Sequence, residues 1–241
     1  MTILITGAGG VLGRELKRLI PEALAPSSIE LNVSSRLSIS HFITRHRPDM
    51  TIHCAAKTSI RWCEENRTQA WSVNTLGVKH LTLALEKYVK KPYFVYISTA
   101  CVFPGDDLNK FYEEDDLRYP SNFYGLTKTF GEYFAEKVKR ALIIRTNFAR
   151  RGPWNYPSAF TDRYGTYLYP DQVAQAVTQL MQKQETGVFH VCGDRRMSMY
   201  EFAKLADKVV KPMTLKDYVG PPLTINMCLK STKIAPVHFQ A

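Results

Sequence analysis

Short, unbroken apolar runs alternate along this chain with longer stretches whose apolar residues recur at helical spacing. Thr2–Thr6 (TILIT), Met50–Cys54, PYFVYIS from Pro92 and ALIIRT from Ala141 are rich in β-branched and aromatic residues. Such runs predict strands buried on both faces. A weaker strand is expected over Ile29–Val33. Between the strands, Val11–Ile20, Ile39–Arg47 and Asn122–Lys139 predict helices, with Pro21 ending the first. From Arg67 to Tyr88, Trp71, Val73, Leu76, Val78, Leu81, Leu83 and Leu85 predict a long helix buried on more than one side, stopped before Pro92. A polar loop spans Pro104–Pro120. After Thr146 the pattern loosens through ARRGPWNYPSAFTDRYG, then resumes as helix Pro170–Lys183, strand Gly187–Val191 and helix Ser198–Val210. Beyond Pro212 it is mostly irregular. Strands alternating with helices predict an α/β fold with a doubly wound parallel sheet.

At 241 residues and 45% hydrophobic content the chain can bury a full core. No apolar run approaches the roughly 18 residues of a membrane span, so no membrane partner is expected. The opening MTILITGAGG lacks a basic leader, so export is not expected either. The five cysteines, Cys54, Cys63, Cys101, Cys192 and Cys228, are odd in number and contain no C-x-x-C pair. They point to a reducing, cytoplasmic compartment and to no metal. The formal charge is +10, yet Lys and Arg are scattered, with only short pairs such as Lys90-Lys91 and Arg150-Arg151. That distribution reads as a solvated surface rather than a nucleic-acid footprint. A basic field would also concentrate polyanionic small molecules.

Gly7, Gly10 and Gly13 form G-x-x-G-x-x-G between the first strand and the first helix. Glycine there permits a tight turn and close backbone approach, and the helix N-terminus offers unpaired N–H groups to phosphate. The expected ligand is a dinucleotide pyrophosphate, contacted by these glycines with Val11 and Leu12, which makes the fold Rossmann-like. Residues 1–148 would be the dinucleotide-binding part. Residues 149–241 would be a small substrate-binding part of the same compact unit, with the chain free to cross back. Cofactor choice falls to Leu31-Asn32-Val33-Ser34-Ser35-Arg36, at the end of the expected second strand. Asn32 and its neighbour Val33 carry no charge to repel a 2′-phosphate, and Ser34, Ser35 and Arg36 can bind one. NADPH is therefore expected, with NADH the alternative; Arg36 reads equally well as a surface residue.

Tyr124-Gly125-Leu126-Thr127-Lys128 puts Tyr124 and Lys128 on one face of a helix. A phenol with a pKa near 10 is a poor proton donor or acceptor at neutral pH, and an adjacent ammonium lowers it. The pair follows a glycine loop and a strand ending Ser98-Thr99. In that order the features resemble the extended short-chain dehydrogenase/reductase family over nearly the whole chain. TGAGGVLG is similar to its cofactor loop, and His53-Cys54-Ala55-Ala56 to its third-strand motif, usually written with Asn before the alanines. SVNTLGVKHL is similar to its long helix with a characteristic Asn, here Asn74, while ISTACVF and YGLTK resemble its active-site strand and helix. The resemblance implies that Thr99 bonds the substrate carbonyl oxygen and Tyr124 gives it a proton. Lys128 would hold the nicotinamide ribose and tune Tyr124, and Ala56, Lys57, Thr58 and Tyr124 itself would line the cofactor. Asn74 also reads as a buried packing amide.

Within the family, RPDMTIHCAAKTS, STACVFPG, YGLTK and IIRTNF most resemble the dTDP-4-dehydrorhamnose reductases and related nucleotide-sugar 4-keto reductases. This implies NADPH-dependent reduction of the 4-keto group of a nucleotide-linked 6-deoxy sugar, for deoxysugar or surface-glycan synthesis. Ala100 replaces an Asp and Phe148 a Trp at positions that touch the sugar in those relatives, which leaves the sugar open. Cys101 also brings T-A-C-V-F-P close to bifunctional 3,5-epimerase/4-reductases, although Arg163 stands where their His or Lys would. A further alternative is a non-catalytic NADP-binding regulatory subunit. The substrate region is expected to be cut down to Ala149–Leu168, leaving Arg150, Arg151 and Arg163 for the diphosphate. A homodimer is compatible with all of these readings.

Overall fold

A computed structural model describes residues 1–240. Strand β1 (Ile3–Thr6) leads into α1 (Val11–Leu19), and α2 (Arg36–His46) precedes β2 (Met50–His53). Helices α3 (Ile60–Glu65) and α4 (Arg67–Trp71), a π-helical turn Ser72–Leu76 and α5 (Gly77–Tyr88) bring the chain to β3 (Tyr93–Ile97). After α6 (Phe123–Ala135) comes β4 (Ala141–Thr146), then the short β5 (Ser158–Phe160) and β6 (Tyr164–Gly165). Helix α7 (Pro170–Gln182), β7 (Gly187–Val191), β8 (Met197–Ser198), α8 (Met199–Ala206), β9 (Lys211–Met213) and β10 (Asn226–Met227) complete the order.

Five strands form a parallel sheet in the order β1-β2-β3-β4-β7. Every residue of β1 to β4 is buried, because the sheet is covered on both faces. Ile3, Ile5, Val95 and Ile144 pack with Leu12 and Leu16 of α1 and Val173 and Val177 of α7. The alternate residues Leu4, Phe94, Tyr96 and Ile143 pack with Ile39 and Ile43 of α2, Val78 and Leu81 of α5 and Ala135 of α6. Each fully buried aliphatic side chain contributes about 1.5–3 kcal/mol, which is why the strands read as continuous apolar runs. All these strands end on one edge, and that edge carries the motifs singled out by the sequence.

The expected strand Ile29–Val33 does not form. Ser27 and Glu30 close a turn, with the Glu30 carboxylate accepting from the Ser27 amide at 2.8 Å and Leu31 N donating to Ser27 O at 3.0 Å. Ile29 is 93% exposed. The edge of β1 is met instead at Leu24, in a single bridge opposite Leu4. Helices expected to reach Lys139 and Val210 stop at Ala135 and Ala206. After residue 148, α7 packs on α1 and β7 extends the sheet beside β4. The rest of the C-terminal part forms two small sheets, β10-β6-β8 and β5-β9.

Candidate active site

The loop after β1 is built around two close backbone approaches. Gly7 has φ +71°, and a Cβ on it would lie 2.6 Å from the Ala55 nitrogen; one on Gly13 would lie 2.2 Å from the Gly7 carbonyl oxygen. Gly10, the α1 N-cap, brings no capping side chain, and the first turn holds no acidic residue. Arg14 N is the first amide bonded within the helix, to Gly10 O at 3.0 Å. The N–H groups of Val11, Leu12 and Gly13 are left without intrahelical acceptors. A cradle of glycine backbone and free helix amides fits a dinucleotide pyrophosphate.

The Asn32–Arg36 loop is held locally: Asn32 Oδ1 accepts from Ser34 N at 3.0 Å and from Ser34 Oγ at 2.7 Å. Gly77 of α5 packs so closely on Val33 that a Cβ would come 2.8 Å from the Val33 carbonyl oxygen. Arg36 opens α2 with its side chain in solvent. Ala56, Lys57 and Thr58 follow β2, and the buried Asn74 amide pins Lys57. Its Oδ1 accepts from Lys57 N at 2.7 Å and its Nδ2 donates to Lys57 O at 2.9 Å and Thr127 Oγ1 at 3.0 Å. Asn74 thus ties the Lys57 backbone to Thr127 of α6.

Thr99 follows β3, and Tyr124 and Lys128 lie on α6, whose start is set by Asn122 accepting from Gly125 N at 2.9 Å. All three are buried. Burial raises the Tyr124 phenol well above its usual value, Cys101 adds to the rise, and the Thr99 side chain works against it. The Lys128 ammonium is turned toward the end of β3. Lys128 Nζ donates to Ile97 O at 2.8 Å and sits 4.1 Å from the centre of the Tyr96 ring. Burial lowers Lys128 to about 7. A buried phenol that keeps its proton and an ammonium near its titration point suit donation of a proton to a substrate oxygen.

The residues expected to meet substrate separate into two places. Ala100 and Cys101 form a buried 3-10 turn directly after Thr99, with Cys101 N donating to Thr99 Oγ1 at 3.1 Å. Phe148 bridges to Leu168 at the end of β4. Arg150 and Arg151, by contrast, share an open depression with Val11, Arg14, Glu15 and Asp171 on the α1/α7 side. Arg151 is held there by Asp171 at 3.1 Å and stacked 3.9 Å from the Tyr169 ring centre. Arg163 is buried, with Nε donating to Thr224 O at 2.9 Å and the rest of its guanidinium against the Met199 and Met227 sulfurs. Two donors that the sequence did not single out, Asn147 Nδ2 and Tyr167 OH, are buried without a partner among the described residues. Both crowd Gly165 of β6. Their signal in the sequence is weak: a polar residue after a strand and a tyrosine in a loop.

Residues 1–152 match the family described as RmlD substrate binding domain. The chain belongs to that family. Among its relatives, the spore coat polysaccharide biosynthesis protein SpsK of Bacillus subtilis is 31% identical over 83% of this chain and 76% of its own. A dTDP-4-dehydrorhamnose reductase of Aggregatibacter actinomycetemcomitans is 31% identical, covering 96% of this chain and 91% of its own. That aligned stretch, 279 residues, exceeds the length of this chain, so the RmlD relative holds residues absent here. The dTDP-4-dehydrorhamnose reductase of Bacillus anthracis, solved in complex with NADP, shares the fold: TM-score 0.86 at 24% identity over 95% of this chain and 91% of that one. No helix among the described residues is long and apolar enough to cross a membrane.

Proposed function

We propose that this protein uses NADPH to reduce the 4-keto group of a nucleotide-linked 6-deoxy sugar during deoxysugar or surface-glycan synthesis. The observation that carries the reading is the burial of Thr99, Tyr124 and Lys128 together at the sheet edge, beside a glycine loop shaped for a dinucleotide. Family membership and relatives named for keto-sugar reduction and polysaccharide synthesis support it. Tyr124 gives its phenolic proton to the carbonyl oxygen, and the Thr99 hydroxyl supplies the second hydrogen bond to that oxygen. A dinucleotide held by that glycine loop would supply the hydride that, with the Tyr124 proton, turns the carbonyl into a secondary alcohol. Lys128 holds the nicotinamide ribose, while Gly7, Gly10, Val11, Leu12 and Gly13 hold the pyrophosphate. Asn32, Val33 and Arg36 would face the 2′-phosphate, and the lack of an acidic side chain at these positions favours NADPH over NADH.

Arg163 is the better candidate than Arg150 or Arg151 for the sugar nucleotide, because its buried guanidinium pairs with a carbonyl and thioethers but no carboxylate. Residues 149–169 and the segments after β7 would surround the substrate, while α7 and β7 serve the dinucleotide-binding part. Cys101 touches the Met227 sulfur at 3.9 Å, which favours plain reduction over epimerisation. The intact trio favours an enzyme over a regulatory subunit. Five free cysteines suit a reducing cytoplasm, and a homodimer is the proposed assembly. The test is to follow NADPH oxidation and product formation over a panel of 4-keto-6-deoxy nucleotide sugars. Tyr124→Phe should lower turnover about 10²- to 10⁴-fold with NADPH binding retained. No turnover with any member, or full activity in Tyr124→Phe, would overturn the reading.

A further inference from the structure

Helix α6 carries a third polar residue in line with Tyr124 and Lys128. Glu132 lies one turn beyond Lys128 on the same face and is fully buried. Its Oε1 accepts from Ser98 Oγ at 2.5 Å and Arg145 Nε at 3.0 Å. Its Oε2 accepts from Arg145 Nη2 at 2.9 Å and Arg118 Nη1 at 3.0 Å. One carboxylate thus joins the helix bearing Tyr124 and Lys128 to the end of β3, to β4 and to the loop before α6. Ser98 immediately precedes Thr99. Arg145, 2% exposed, also donates to Glu114 O at 2.8 Å, so the clamp is rooted in the fold and not free to drift.

We propose that Glu132 is a positioning residue of the active site: through Ser98 it sets Thr99 against Tyr124, and as counter-charge it keeps Lys128 an ammonium. The inference rests on the reductase reading for its kinetic consequences. The groups facing Lys128 single out Glu132. At the end of β2, burial takes His53 down to about 3 and, in the next residue, Cys54 up to about 12, so both are neutral near pH 7. On β3 and α6, the phenols of Tyr96 and Tyr124 are both raised and neutral. The Ile97 carbonyl is an uncharged acceptor. Glu132 is the ionised group among them: Arg145, Arg118 and Ser98 hold it as a carboxylate against its burial. It opposes the loss of the Lys128 proton that burial favours.

Two variants separate a positioning role from mere packing. Glu132→Gln keeps the shape and removes the charge, so Lys128 should lose its proton at lower pH. The pH above which NADPH affinity and kcat decline should move at least about one unit to the acid side, with affinity at low pH unchanged. Ser98→Ala keeps both arginine pairs; kcat should fall about tenfold with the pH limb and the NADPH affinity unmoved. Binding of NADPH is read by fluorescence without any sugar nucleotide, and melting curves report folding. A limb that stays in place in folded Glu132→Gln, or wild-type kcat in Ser98→Ala, overturns the proposal. If Glu132→Gln does not fold, Ser98→Ala still decides the link to Thr99. A shifted binding limb in a protein that reduces no sugar nucleotide would uphold the charge role and sink only the reductase reading.

Discussion

Replacing Gly13 with alanine would place a methyl group 2.2 Å from the Gly7 carbonyl oxygen and 2.7 Å from Ala8 Cα. Neither atom can give way cheaply, because Gly7 is itself wedged against the Ala55 nitrogen. Restoring ordinary contact of about 3.5 Å requires the start of α1 to move by roughly 1 Å, at a cost to folding of about 1–3 kcal/mol. The same shift carries the Val11, Leu12 and Gly13 amides away from the phosphates. A hydrogen bond to a charged group contributes about 1.5–3 kcal/mol, so losing one should weaken NADPH binding about ten- to a hundredfold. Gly9→Ala is the control, since its Cβ would meet nothing within 4 Å. Its NADPH affinity should stay near that of the unsubstituted protein. NADPH titration of both variants, with circular dichroism to confirm folding, gives the comparison. Equal affinities for Gly13→Ala and the parent, or equal losses in the two variants, would refute the argument that this turn is the pyrophosphate cradle.

Arg36→Ala should weaken NADPH about tenfold and leave NADH unchanged if the guanidinium meets the 2′-phosphate; equal losses would place Arg36 outside the site. Alanine at Arg150 and Arg151 should leave the sugar nucleotide KM unchanged, whereas Arg163→Met should raise it about tenfold or more; the reverse order in steady-state kinetics would move the substrate to the α1/α7 side. Glu114 accepts from His190 N, Ser231 Oγ, Thr232 N and Thr232 Oγ1, and these bonds lower it to about 2 despite burial. With the folded pKa below the unfolded one, its stabilisation of about 3 kcal/mol is present above pH 4.5 and lost as pH falls toward 2. Glu114→Gln should therefore flatten the acid limb of stability in denaturant melts; an unchanged limb would mean that other carboxylates govern acid unfolding.

The central strands were legible because burial on both faces leaves ILI, FVYI and ALII as unbroken apolar runs, even though β4 goes on to the buried Arg145. Ile29–Val33 misled for the complementary reason. Isoleucine and valine there suit a strand, but Ser27 and Glu30 satisfy the backbone within a turn, and Ile29 faces solvent. Period alone also hides the π-helical turn at Ser72–Leu76, where one extra residue per turn leaves the apolar spacing nearly intact. Its consequence is nonetheless specific: Asn74 lies in that turn and holds Lys57. The C-terminal sheets were out of reach because β10, β6 and β8 are two residues each and pair across long stretches of chain.

The candidate site divides along the same line between local and distant causes. The spacing of Tyr124 and Lys128 is a property of one helix, so their shared face could be read directly. The direction in which Lys128 acts could not, because it depends on an acceptor across the sheet, the Ile97 carbonyl, and on the Tyr96 ring. The arginines show the same limit. Arg150, Arg151 and Arg163 fall within one loosely patterned stretch, yet Arg151 runs to Asp171 and Arg163 into the interior. Glu132 is the extreme case: in the sequence it is one more acidic residue on an amphipathic helix, normally a solvated position. Only the arrival of Ser98, Arg118 and Arg145 from three other segments makes it a buried charge. A buried charge is stable only with partners that the tertiary fold supplies, so these groups, which carry most of the site's electrostatics, are the ones that local pattern reveals least.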